Sequence, residues 1–143
     1  MVTVSLCMIV KNEEDVLGRC LESISGMVDE IIVVDTGSTD RTREIAAQFT
    51  SRIYDFAWID DFAAARNYAF SLAEMDYCMW LDADDVLLEA DQDAFRALKE
   101  ELDPAVSVVM AKYNTGFDEN GNVTFSYFRE RLIKNHAGMR WEG

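Results

Sequence analysis

Tyr77-Cys78-Met79-Trp80-Leu81-Asp82-Ala83-Asp84-Asp85 begins as an apolar run and ends in three carboxylates within four residues. The apolar half has the length and composition of a buried strand, here Tyr77 to Leu81. Carboxylates this close repel one another, so they require a cation, protonation or wide solvent exposure. A cluster delivered by a strand end is therefore poised to hold a divalent cation together with a phosphate. Taken alone, Asp82-Ala83-Asp84 is equally the mark of a turn or a helix start, where Asp accepts backbone N–H bonds. The flanking sequence decides what the strand belongs to.

Working outward, strand and helix signals alternate with short connections, the pattern of a mostly parallel sheet flanked by helices. Val2 to Val10 reads as a fully buried first strand. Asn12 is expected to cap a helix whose apolar face is Val16, Leu17, Cys20, Leu21 and Ile24. Glu30 to Val34 reads as the second strand, running into Asp35-Thr36-Gly37-Ser38-Thr39-Asp40 and a helix with Ile45, Ala46 and Phe49 inward. A short third strand, Arg52 to Tyr54, leads through Trp58, Asp60 and Asp61 to an Ala-rich helix from Phe62 to Ala73. Beyond the acidic cluster, a helix over residues 92–102 is stopped by Asp103-Pro104. Strands over 105–113 and 123–128 flank the hairpin signal Asn120-Gly121, and Arg131 to Asn135 is expected as one more strand.

The length of 143 residues and the 50% apolar content fit a single globular domain over residues 1–143. Thirteen Lys and Arg against 27 Asp and Glu leave a net charge of −14, which disfavours nucleic acid as a partner. A small phosphorylated ligand remains compatible, because a local cation reverses the field at one site. Cys7, Cys20 and Cys78 form no C-x-x-C pair and read as reduced core residues, pointing to a cytoplasmic protein. Met1 to Val10 lacks a basic leader and reads as a strand rather than a signal peptide, and no stretch approaches the ~20 apolar residues of a transmembrane segment.

In an open parallel sheet, ligands bind at the carboxyl ends of the strands. Four such ends carry polar clusters: Val10-Lys11-Asn12-Glu13, Asp35-Thr36-Gly37-Ser38, Asp60-Asp61 and Asp82-Ala83-Asp84. Ser5 to Glu14, Asp29 to Asp40, Asp61-Phe62-Ala63-Ala64-Ala65-Arg66-Asn67 and Trp80 to Asp85, in this order, resemble the inverting family 2 glycosyltransferases of GT-A fold. The nearest subgroup is similar to bacterial lipopolysaccharide core and peptide S-glycosyltransferases. The resemblance implies an α/β, Rossmann-like domain with a C-terminal β-hairpin and a nucleotide-sugar donor, UDP-sugar by default. It implies an acceptor that is a glycan, a lipid-linked glycan or a peptide. It places Ile9 and Lys11 beside the nucleotide base, Asp35 on the base or ribose, and Arg66 near the base, with Asn12, Gly37 and Ser38 completing the nucleotide site. Asp82 would face the ribose and the metal-bound diphosphate, and Asp84 would be the principal ligand of Mg2+ or Mn2+.

Sugar transfer breaks the bond between the anomeric carbon and a diphosphate oxygen, so charge builds on the leaving group and a hard divalent cation suits it. The resemblance thus implies that Asp82 and Asp84 act in catalysis by holding that ion. Inversion also needs a base to deprotonate the acceptor. In the resembling subgroup this base lies in a His-Glu pair just after a segment like Met139-Arg140-Trp141-Glu142-Gly143, which implies a domain truncated before its base. His136 reads as a surface or hairpin residue, Trp80 as core, and Trp141 as an acceptor-side contact. Two other readings stay open. One is a phosphatase of the haloacid dehalogenase type with Asp82 as nucleophile, which leaves Asp35 and Arg66 unexplained. The other is a noncatalytic nucleotide-sugar binding module.

Overall fold

The structure, a computed structural model, describes residues 1–57, 62–87, 89–105, 108–117 and 123–135. Six strands, β1 (Val4–Val10), β2 (Glu30–Asp35), β3 (Ile53–Asp55), β4 (Tyr77–Trp80), β5 (Val108–Phe117) and β6 (Val123–Lys134), form one sheet in the order β3-β2-β1-β4-β6-β5. β1 to β4 are mutually parallel, with Val10 opposite Asp35 and Cys7 opposite Trp80. β6 runs antiparallel to both β4 and β5, so the C-terminal pair is the expected hairpin. Its Asn120-Gly121 turn signal lies outside the described residues.

Strand alternation sorts the core onto two faces. Val4, Leu6, Met8 and Val10 of β1, with Ile31 and Val33 of β2 and Tyr77 and Met79 of β4, meet α1 (Leu17–Ile24), α2 (Thr42–Ala46) and α4 (Glu89–Glu101). Cys7, Ile32, Val34 and Cys78 meet α3 (Phe62–Ser71) through Ala69, and Ala73 just beyond that helix joins them. A strand buried on both faces has little room for polar residues, and β1 is apolar apart from Ser5, whose hydroxyl donates to the Glu30 carboxylate at 2.8 Å. In α1, Leu17, Cys20, Leu21 and Ile24 are fully buried, as their spacing predicts. Small residues let α3 lie close on the sheet, where Ala65 and Ala69 have no exposed surface.

Four expectations need correction. Asn12 does not cap α1, because it sits at φ 52 and the helix starts five residues later with no side-chain cap. The carbonyl of Glu13 begins that helix instead, accepting from the Leu17 amide at 3.0 Å. The strands expected over 123–128 and 131–135 are one continuous strand, β6, paired to β5 over most of its length and to β4 from Leu132 to Lys134. Lastly, β3 lies one residue later than expected, and α4 begins at Glu89. Among the described residues, no helix is long and apolar enough to cross a membrane.

Candidate active site

Because β2, β1 and β4 are adjacent and parallel, their carboxyl ends deliver three loops to one rim of the sheet. The first two loops are stitched together. Asn12 donates its backbone N–H to Ser38 Oγ at 3.0 Å, and its amide oxygen accepts from the Thr39 N–H at 2.7 Å. Glu13 N–H reaches Thr42 Oγ1 at 2.7 Å, and the Arg41 N–H donates to the Glu14 carboxylate at 3.1 Å. The left-handed backbone at Asn12 turns the chain toward its neighbour, and Asn tolerates this conformation better than most residues. Gly37 has φ 122, a conformation that L side chains rarely adopt, so glycine is required in the second loop.

Asp35 organises that loop from below. It is 3% exposed, and its Oδ1 accepts the backbone N–H groups of Ser38 at 2.9 Å and Gly37 at 3.2 Å. Its Oδ2 accepts from Arg43 Nη1 at 3.3 Å, and the same guanidinium also pairs with Asp55 on β3. Burial alone would push the Asp35 carboxyl up, but the donors from Ser38, Gly37 and Arg43 outweigh it and hold the group below the usual carboxylate range. The sequence reading missed Arg43. No motif announces it, since its role comes from β2 and β3 ending side by side.

The third loop carries the acidic cluster. Oxygens of Asp82, Asp84 and Asp85 lie within 4.8 Å of one another, with Asp82 and Asp84 exposed and Asp85 half-buried. The loop is a tight turn in which the Asp82 N–H donates to Asp85 Oδ2 at 2.8 Å and the Asp85 N–H to the Asp82 carbonyl at 2.9 Å. Cys20 Sγ on α1 contacts the Asp82 carbonyl at 3.6 Å, tying the turn to the first helix. Partial burial, and then the negative charges of Asp84, Asp40 and Asp82, raise the Glu13 carboxyl above its ordinary value, so the first and third loops share one negative field. Glu13 was quoted in the sequence motif without a role, and its proximity to the cluster is visible only in three dimensions. The donor set is all oxygen, spaced to converge on one ion, and so fits a hard divalent cation.

On the opposite face, Arg66 of α3 is 9% exposed, with its guanidinium carbon 4.1 Å from the centroid of the Trp80 ring. The expectation that Trp80 is core is met, at 3% exposure. Ile9 alternates onto this same face and is half-buried, whereas Lys11 beyond it is exposed. Asp35 lies on the α2 face, so the structure does not bring its carboxylate together with Arg66. Asp60, Asp61, His136, Trp141 and Glu142 lie outside the described residues.

The model of glycosyl transferase family 2 matches residues 5–142. The chain belongs to that family. A TPR repeat-containing protein of Synechococcus elongatus is 40% identical over 144 residues, covering 99% of this chain and 34% of its own length. The structure of Staphylococcus aureus TarS 1-349 shares the fold, with a TM-score of 0.57 and 24% identity over 68% of this chain and 32% of that one. Glucosyl-3-phosphoglycerate synthase of Mycobacterium tuberculosis, in complex with Mg2+ and UDP, aligns with a TM-score of 0.53 and 26% identity over 59% of this chain and 34% of its own. The family 2 domain described here thus has the GT-A architecture and spans about a third of the length of these relatives. Family membership sets the dehalogenase-type phosphatase aside.

Proposed function

We propose that this family 2 domain transfers a sugar, with inversion, from a UDP-sugar to an acceptor glycan, lipid-linked glycan or peptide. The observation that carries this reading is the convergence, on one rim, of the interlocked Asn12 and Ser38 loops with the Asp82, Asp84 and Asp85 cluster. The M. tuberculosis synthase, solved with Mg2+ and UDP and with Mn2+ and UDP-glucose, supports a uridine donor and a divalent cation. All three cysteines are free and buried, which supports a cytoplasmic setting.

In the reaction, the anomeric carbon leaves its diphosphate oxygen and bonds to the acceptor oxygen from the opposite side, releasing the nucleoside diphosphate. Ile9 and Lys11 at the end of β1 flank the base, and Arg66 approaches it from α3. Asp35 acts on the base or ribose through the loop it braces, with Gly37 and Ser38 presenting that loop's backbone. Asp84, assisted by Asp82, would hold Mg2+ or Mn2+, which supplies charge stabilisation to the departing diphosphate. None of the described residues is assigned as the base that takes the acceptor proton.

The test is calorimetric titration with UDP, GDP and dTDP, each with Mn2+ and with excess chelator. Metal-dependent binding of UDP in preference to the others is the expected result. A folded chain that binds none of the three would refute the donor site.

A further inference from the structure

We propose that Trp80 is a positioning residue that holds the Arg66 guanidinium at the donor rim, and that nucleotide affinity depends on its π face rather than on its bulk. The inference rests on the donor reading above, in which Arg66 approaches the base. The geometry comes from two independent features. Alternation along β4 sends Tyr77 and Met79 to the α1 face and Cys78 and Trp80 to the α3 face, so the last residue of the strand must meet the first turns of α3. There the Trp80 ring receives the Arg66 guanidinium at 4.1 Å, well inside the ~6 Å range of a cation–π contact.

Both partners are buried, Arg66 at 9% and Trp80 at 3% exposure. Desolvation strengthens the attraction between a cation and an aromatic quadrupole, and indole is the strongest of the natural rings. The contact also restricts the Arg66 side chain, and a donor already held in place loses less freedom when a ligand arrives. Trp80 precedes the acidic turn by one residue, Leu81. The same strand end therefore sets the place of the buried cation on the α3 side and of the carboxylates at the rim. An aliphatic replacement buries apolar surface but removes the π face that the guanidinium contacts.

The test is a graded series, Trp80→Tyr, Trp80→Phe and Trp80→Leu, titrated with UDP and Mn2+, each repeated in an Arg66→Gln background, with thermal unfolding of every variant. The expected result is affinity falling in that order, by a few-fold for Phe and about tenfold for Leu, and a flat series once Arg66 is Gln. The two aromatic variants keep a π face in the core, and with unfolding measured on each they decide the matter even where Trp80→Leu does not fold. Affinity that follows unfolding temperature instead of ring type, or a series equally steep without Arg66, would overturn the proposal and make Trp80 a packing residue. A parent chain that binds no nucleotide would overturn this inference and the donor reading together, whereas a parent that binds and a flat series with Arg66 intact overturn this inference alone.

Discussion

Replacing Asp35 separates its role in the loop from a direct contact with the nucleotide. In Asp35→Ala, the Ser38 and Gly37 amides lose the oxygen they share, and Arg43 keeps only Asp55. A hydrogen bond to a charged acceptor contributes about 1.5–3 kcal/mol, but both amides lie near the surface and regain water, so together they amount to about 1.5 kcal/mol. The Arg43 side chain is 43% exposed, which limits its share to about 0.5 kcal/mol. The sum, about 2 kcal/mol, lowers the unfolding midpoint of a domain this size by about 4–8 °C. Asp35→Asn keeps an acceptor for the two amides and gives up only the charge, so its loss is about 1 kcal/mol. Urea unfolding at constant m-value measures both. The folded Asp35 carboxyl is depressed, so its contribution is complete above the ordinary value of 3.8 and is lost as pH falls through the lower folded value; the gap between parent and Ala variant should narrow only below about pH 3.8. In UDP titrations, Asp35→Asn should stay within about threefold of the parent, while Asp35→Ala weakens binding and blurs discrimination among bases. Equal losses in the two variants, in stability and in binding, would refute the loop argument.

Asp84→Asn should weaken metal-dependent UDP binding by about 2 kcal/mol or more while leaving urea unfolding within about 0.5 kcal/mol of the parent, because the side chain is exposed. Arg66→Ala should weaken UDP binding in calorimetry with its Mn2+ dependence intact; loss of folding instead would assign Arg66 a structural role. Gly37→Ala meets open space but must hold φ 122, so urea unfolding should show a backbone-strain loss of about 1–2 kcal/mol with core packing unchanged. Lys99→Met removes a buried ammonium that donates to the Met27 carbonyl and the Asp29 carboxylate, each at 2.8 Å. Burial pushes the Asp29 carboxyl up, but Lys99 and the Val4 amide bring it below its usual range, so the parent's acid-side loss of stability below about pH 3.8 should be smaller in the variant.

The sheet was legible because burial on both faces leaves a dominantly apolar signal, broken only by Ser5 in Val4–Val10 and running from Ile31 to Val34 in β2, and because Asp marks where such strands end. Helix starts were less legible. Asn12 has the residue type of a cap, but the neighbouring loop competes for its side chain and wins, since one amide satisfies Thr39 while the backbone satisfies Ser38. The split of residues 123–135 into two strands failed for a related reason. Local composition around Arg129, Glu130 and Arg131 reads as a break, whereas pairing with β5 on both sides of an irregularity at Arg131 carries the strand through to its pairing with β4. Strand ends bearing Asp82, Asp84 and Asp35 identified the rim, but Arg43, Glu13 and the use of Trp80 needed neighbours far apart in sequence.

The charges at the rim explain why its parts belong together. Partial burial, and then the negative charges of Asp84, Asp40 and Asp82, raise the Glu13 carboxyl above its ordinary value, which places it in the field of the acidic turn. Among the described residues, Arg43 is engaged by Asp35 and Asp55, and Arg66 lies over Trp80 on the α3 side. In a chain of net charge −14, a diphosphate approaching this rim meets repulsion at long range and at contact. Hydrogen bonding from loop amides is too weak to offset several like charges within a few ångströms. On the proposed reading, donor binding at the rim would therefore need a cation that Asp82 and Asp84 share with the phosphates, and the same negative field that disfavours a bare polyanion would favour a ligand arriving with its metal.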